Sequence, residues 1–243
     1  MLRLILLLLL LAAGTAEMGP AWGADLPEAP PFHVSATFHP VGPIAAQGAL
    51  VWLHGTYDRA AAGPPAEPDI VGRLAAGGFD VWRFDRTRGA DGLDAGGEGL
   101  VRGLEALRRA GYRRLLVAAH SRGAWIALRV LAHAGLADGV VAISPAAFGP
   151  RPERQAEAMA DWTAMWRAAR PAQTRVVLVQ LREDPYDPDP AARRDVAVAE
   201  SKRAGLKLLS VFLPDQPRGH IAAYMPDFDV RLGAQIAGFV AAR

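Results

Sequence analysis

Hydrophobic positions along the chain fall into two alternating kinds of segment. Short runs that are apolar throughout and rich in β-branched residues stand at 49–53, 79–84, 115–119, 139–143, 175–181 and 207–213. Between most of them apolar residues recur at helical spacing. Leu100, Leu104 and Leu107 share one face ahead of the third run; 124–134 follows it, and 193–204 precedes the sixth. Leu232, Ile236 and Phe239 form a stripe over 230–240. A strand buried on both faces reads as a continuous apolar run, and a helix covering it as a stripe of period 3.6. The alternation therefore predicts an α/β fold: a mostly parallel central sheet flanked by helices on both faces. Residues 24–48, rich in Pro and Ala, read as an extended leader with an edge strand over 32–38.

Two segments stand outside this alternation. Residues 151–170 place Met159, Trp162, Trp166 and Ala169 on one helical face. They read either as a crossover helix packed on the sheet or as a small lid whose tryptophans wall an apolar pocket. At the N-terminus one arginine precedes an apolar run over 4–13, and small residues follow, with cleavage sites after Ala16 or Gly23. That run is shorter than the about 20 residues a bilayer span needs. It predicts a signal peptide over 1–23 and a domain over 24–243 that is secreted, in a bacterial periplasm, with no stable membrane anchor after cleavage.

Composition narrows the chemistry. The 243 residues are 51% hydrophobic, enough for the core of one sizeable domain. Lys and Arg number 27 against 25 Asp and Glu, interspersed along the chain, so no basic stripe points to a nucleic-acid partner. With no cysteine, disulfides, thiol catalysis, lipoprotein acylation and cysteine-ligated metals are excluded.

The third apolar run ends on His120-Ser121-Arg122-Gly123 and passes directly into Ala124, Trp125 and Ile126. A buried strand needs no serine at its tip, and a helix gains little from glycine in its first turn. Strand, small-x-Ser-x-Gly, helix is the pattern of a nucleophile elbow, where a strained serine backbone presents its hydroxyl. Strand and helix cross too closely there for large side chains at 119 and 123. Position 119 is alanine rather than the commoner glycine, and is still small.

A serine hydroxyl is a poor nucleophile until a base takes its proton, and the base needs an orienting acid. In a sheet of this kind those groups belong at the carboxyl ends of later strands. The fifth run leads into Arg182-Glu183-Asp184-Pro185-Tyr186-Asp187, and the sixth into Asp215-Gln216-Pro217-Arg218-Gly219-His220. His220 is the candidate base, and the acid lies among Asp184, Asp187, Glu183 and Asp215.

With these residues the chain resembles the α/β-hydrolase family, in particular its small single-domain serine esterases and dienelactone-hydrolase-like members. The resemblance covers 49 to the C-terminus and rests on Leu53-His54-Gly55-Thr56, the serine turn, Glu183-Asp184-Pro185 and Gly219-His220. It implies the α/β-hydrolase fold and a catalytic triad of Ser121, Asp184 and His220, Asp187 being the main rival for the acid. It also implies an oxyanion hole from the N–H groups of Arg122 and Thr56, with Tyr57 as the alternative to Thr56. The reaction implied is cleavage of an ester or related acyl bond of a small-molecule substrate through an acyl-enzyme, with no cofactor and no metal. Peptidase, thioesterase or acyltransferase chemistry at the same site, or a binding protein of the same fold, are the alternatives. Dienelactone hydrolases usually carry cysteine where Ser121 stands, so their substrate is not carried over.

The remaining polar residues near these motifs receive structural readings. His54 supports its loop, and His120 packs or rims the site. Ser144 is a turn residue, since Pro145 follows it. Asp85-Arg86-Thr87-Arg88-Gly89 resembles a bracing turn of the family, although Arg86 or Arg88 facing the cleft would favour anionic substrates. The side chain of Arg122 reads as solvated.

Overall fold

The apolar runs become the strands of one seven-stranded sheet. A computed structural model describes residues 32–56, 64–86 and 91–242; the signal segment, Tyr57 and Arg88 lie outside these described residues. The strands are β1 (Phe32–Val34), β2 (Gly48–Leu53), β3 (Phe79–Phe84), β4 (Leu115–His120), β5 (Gly139–Ile143), β6 (Arg175–Gln180) and β7 (Lys207–Phe212). Their order is β1-β3-β2-β4-β5-β6-β7. Only β1 runs antiparallel, against β3; β2 to β7 are parallel. The register aligns Val51, Val117, Val140, Val176 and Leu208 across the sheet.

The edge strand is shorter than its apolar pattern predicts. The Ser35 N–H still reaches Val81 O, at 3.0 Å. The Ser35 and Thr37 hydroxyls then turn to the Glu67 carboxylate, and such local side-chain bonds compete with continued strand pairing.

Successive strand residues point to opposite faces, and each face carries its own apolar layer. Val51, Val117, Val140 and Val176 meet helices α2 (Leu93–Arg109), α3 (Arg122–Leu128), α4 (Gln155–Arg167) and α5 (Pro190–Arg203). Leu50, Leu116, Val141 and Val177 meet α1 (Asp69–Ala75) and the C-terminal helices α6 (Pro226–Phe228) and α7 (Ala234–Ala241), joined by a π turn. Helix α3 gives way to a 3₁₀ turn at Arg129–Ala132, earlier than the apolar pattern suggests.

Helix α4 packs as a crossover helix. Trp162 and Trp166 are buried in the core. Trp162 lies 5.1 Å from Trp125 of α3, and its indole N–H donates to Arg193 O of α5 at 2.9 Å. Because β2, β4, β6 and β7 are parallel, their exit loops all leave the same edge of the sheet, which brings four separate sequence motifs together.

Candidate active site

Ser121 sits between β4 and α3 with φ 55° and ψ −121°. A non-glycine residue in that region costs on the order of 1–3 kcal/mol and persists only where its surroundings hold it. Three hydrogen bonds do so: Ser121 N–H to Ile143 O (3.0 Å), Trp125 N–H to Ser121 O (3.1 Å) and Ala146 N–H to Ser121 O (3.2 Å). The close crossing is visible at Gly123, where an added Cβ would stand 2.5 Å from His54 O and 2.7 Å from Leu53 O. Only glycine lets the β2 exit loop pass this near to the helix.

The other two residues arrive on the β6 and β7 loops. His220 Nδ1 lies 2.9 Å from each carboxylate oxygen of Asp184, and its Nε2 lies 2.7 Å from Ser121 Oγ. Donation from Nδ1–H to the carboxylate leaves Nε2 bare, so it accepts from the serine hydroxyl. The Asp184 side chain is 1% exposed and that of His220 13%, so the relay is largely screened from water but open at the serine end. Asp184 also accepts from Tyr186 N–H at 2.9 Å. The two loops are tied by Gly219 N–H to Arg182 O at 2.8 Å and by the Arg218–Glu183 ion pair at 2.7 Å.

The rival acids are placed elsewhere. Asp187 faces away from His220 into a buried ion pair with Arg193 at 3.1 Å and accepts from Gln180 Nε2 at 2.8 Å. Burial pushes its carboxyl above the ordinary range, with Arg193 opposing. The Arg193 guanidinium in turn lies over Trp125, 5.2 Å from the ring centre. Asp215 is exposed beside Arg182, at 3.5 Å.

Gly55 and Thr56 reach the cavity at Ser121 from the β2 exit. His54 Nδ1–H donates to Gly55 O at 2.5 Å, and burial, followed by the charge of Arg86, lowers its pKa to about 4. Arg86 is 1% exposed; its Nη2 donates to His54 O at 2.6 Å and its Nε to Asp91 at 3.1 Å. It braces the loop from behind and does not face the cleft. Arg122 differs from its solvated reading. Its side chain straps two walls together, donating to Asp91 O at 2.7 and 2.9 Å and to Ala147 O at 3.1 Å. Ser144 is buried at φ 46°, a turn position that presents no hydroxyl to the cavity's described lining.

The cavity holds about 400 Å³ and is lined in part by residues the motifs do not reveal: Ala146, Ala147, Gly149, Tyr186, Ile221 and Tyr224. The Tyr186 ring lies 4.4 Å from the His220 ring, tilted by 44°; an aromatic residue two positions after Asp184 was its only trace in the sequence. His120 does more than rim the site. Its Nε2–H donates to the main-chain carbonyl of His220 at 2.7 Å, and burial lowers its pKa to about 4. The α4 tryptophans are absent from the described lining. Among the described residues no group of three His, Asp or Glu side chains is placed to hold a metal ion.

No family model and no curated protein sequence matches the chain. Among solved structures it is similar to the esterase Pf2001 of Pyrococcus furiosus, at 15% identity and a TM-score of 0.56 over 81% of each chain. It is similar also to a phospholipase/carboxylesterase from Dyadobacter fermentans (18% identity, TM-score 0.53, 77% of this chain and 88% of that one). A third is Est1E from Butyrivibrio proteoclasticus (15% identity, TM-score 0.53, 83% of this chain and 90% of that one). At such identities what is shared is the architecture: the chain has the α/β-hydrolase fold.

Proposed function

We propose that this protein is a serine hydrolase that cleaves carboxylic esters of small acyl groups. The observation that carries the reading is the continuous relay from Ser121 Oγ through His220 to Asp184, at 2.7 and 2.9 Å. The names of the structural neighbours, an esterase and a carboxylesterase among them, support ester chemistry on this fold.

Ser121 Oγ attacks the acyl carbonyl as His220 Nε2 takes its proton. Asp184 holds Nδ1–H and stabilises the imidazolium that forms. The carbonyl oxygen becomes an oxyanion that accepts from the Arg122 and Thr56 N–H groups, each donor of this kind being worth about 10²–10³ in rate. The tetrahedral adduct collapses, the ester C–O bond breaks, and His220 returns the proton to the departing alcohol. Water, deprotonated by the same nitrogen, then attacks the acyl-enzyme and releases the acid and Ser121. No step calls for a cofactor.

A cavity of about 400 Å³ lined in part by small residues such as Ala146, Ala147 and Gly149 favours short acyl groups over long lipid chains. The working form is the exported chain cleaved within residues 1–23, after Ala16 or Gly23; a periplasmic protein whose N-terminus maps to Glu17 or Ala24 supports this, and an intact Met1 opposes it. The reaction is tested by hydrolysis of p-nitrophenyl acetate and butyrate beside Ser121→Ala. Activity lost in the variant is expected, a fall of roughly 10⁶ in kcat being typical of such a nucleophile. Activity retained in Ser121→Ala sinks the mechanism.

A further inference from the structure

Behind the β2 exit loop lies a cation that the mechanism above does not use. The Arg86 guanidinium is almost wholly buried, yet among the described residues its carboxylate hydrogen bond is to Asp91, and its Nη1 has no hydrogen-bond partner there. Burying a charge with so little compensation destabilises a fold, and an apolar side chain of similar volume is often the more stabilising occupant. The contacts it does make are directed. Nη2 donates to His54 O at 2.6 Å and reaches Gly55 O at 3.4 Å, while His54 Nδ1–H holds the same Gly55 carbonyl at 2.5 Å.

The Gly55 carbonyl and the Thr56 N–H belong to one planar peptide, and in a trans peptide they point in opposite directions. Fixing the oxygen toward Arg86 and His54 therefore turns the N–H away from them. Ser121 is near on that loop. A Cβ on Gly55 would stand 2.9 Å from Ser121 Cβ and 2.9 Å from His120 Nδ1, and Gly55 and Thr56 line the cavity that contains Ser121. The loop cannot relax backwards, because His54 O is pinched between Arg86 and the backbone at Gly123.

We infer that Arg86 is a positioning residue of the oxyanion hole: it grips the His54 and Gly55 carbonyls so that the Thr56 N–H faces the carbonyl oxygen attacked by Ser121. Its charge adds to the effect. A guanidinium stays protonated even where burial lowers its pKa, and a cation at the carbonyl end of a peptide strengthens the N–H at the other end as a donor. Among the described residues, Asp91, Asp85, His54, Arg122 and Tyr224 are titratable or charged groups around it; Asp91 offsets its charge only in part, since that carboxylate is itself 22% exposed.

The inference rests on the acyl-transfer reading, and the test separates the two. Arg86→Gln and Arg86→Lys are compared with the wild type for kcat and KM on p-nitrophenyl butyrate, for inhibition by phenylboronic acid, and for thermal midpoint. Phenylboronic acid forms a tetrahedral anion on a reactive serine and so reports on the oxyanion donors. Because losing a donor outright costs about 10²–10³, releasing its orientation is expected to lower kcat by roughly 10- to 100-fold in Arg86→Gln. KM should stay within about twofold, boronate affinity should fall by the same factor as kcat, and Arg86→Lys should lose less. A purely structural arginine moves the melting temperature without this split. Should the Gln variant not fold, Lys carries the test, since it keeps the charge but cannot grip two carbonyls. Unchanged kcat and boronate affinity in a folded variant overturns the inference. Failure of the wild type to turn over ester or bind boronate overturns the acyl-transfer reading instead.

Discussion

The two halves of the site are held in different ways. On the side of Asp184 and His220, the loops after β6 and β7 are joined near the surface by two exposed ion pairs, Arg218–Glu183 and Arg182–Asp215, and by a backbone bond from Gly219 to Arg182, beside the His220–Asp184 contact itself. On the nucleophile side, the loops after β2, β3 and β4 are held from within, by Arg86 and Arg122 donating to main-chain carbonyls. An exposed ion pair contributes about 0–1 kcal/mol and is screened by salt, whereas a buried cation on carbonyls leaves little room for movement. The difference suits the proposed chemistry. A base must swing slightly between serine and leaving group, while oxyanion donors act best when they do not reorganise.

The sharpest way to separate the halves is to change the two aspartates of the β6 loop. Asp184→Asn presents an amide to His220 Nδ1 and favours the wrong tautomer, so kcat should fall by about 10⁴ with the melting temperature nearly unchanged. Asp187→Asn leaves Arg193 buried without its counter-charge. Removing one partner of a buried pair costs on the order of 3–5 kcal/mol, so thermal unfolding should shift strongly downward while kcat of the folded fraction stays within about threefold. A reversed pattern would exchange the roles of the two acids.

Buried histidines sharpen the comparison through pH. His54 and His120 both have pKa values lowered to about 4, chiefly by burial. A histidine that binds its proton less readily when folded than when unfolded leaves stability intact above pH of about 6.5 and lowers it as pH falls toward 4. The loss should reach roughly 3 kcal/mol per histidine at pH 4; Asp187, shifted upward by burial, opposes it. Thermal midpoints at pH 7, 5.5 and 4.5 measure this, and His120→Gln, which keeps a donor near the Nε2 position, should flatten the curve. A flat wild-type curve would contradict the assignment of buried neutral histidines. The smallest effect is expected from Glu183→Gln: under about 1 kcal/mol in stability and a few-fold in kcat, both fading in high salt.

Much of this was legible in the chain because the relevant residues answer to local rules. The six parallel strands β2–β7 appear within a residue of their apolar runs. In β2–β6, buried on both faces, the chain has no choice of face to expose, and the edge strand β7 still keeps an apolar run. Ser121 and Gly123 declare a close crossing, and His220 follows the last strand. What could not be read depended on neighbours distant in sequence. Asp184 and Asp187 stand three residues apart in similar local sequence, and partners elsewhere in the chain distinguish them: His220 on Asp184, Gln180 and Arg193 on Asp187. The amphipathic face of α4 is compatible with a lid or a crossover until Trp125 and Arg193 are placed beneath it. Arg122 looked solvated because the carbonyls that accept from it belong to Asp91 and Ala147, 31 and 25 residues away. Tyr186 and Tyr224 carry no motif at all; they enter the site because the loops that bear them converge.

The most direct test of the central claim is intact-mass and peptide mapping after treatment with a fluorophosphonate probe. A single adduct on Ser121, abolished in Ser121→Ala and slowed in His220→Gln, is the expected result. A folded wild-type protein that takes no label, or takes it at another residue, would contradict the assignment of Ser121 as the nucleophile.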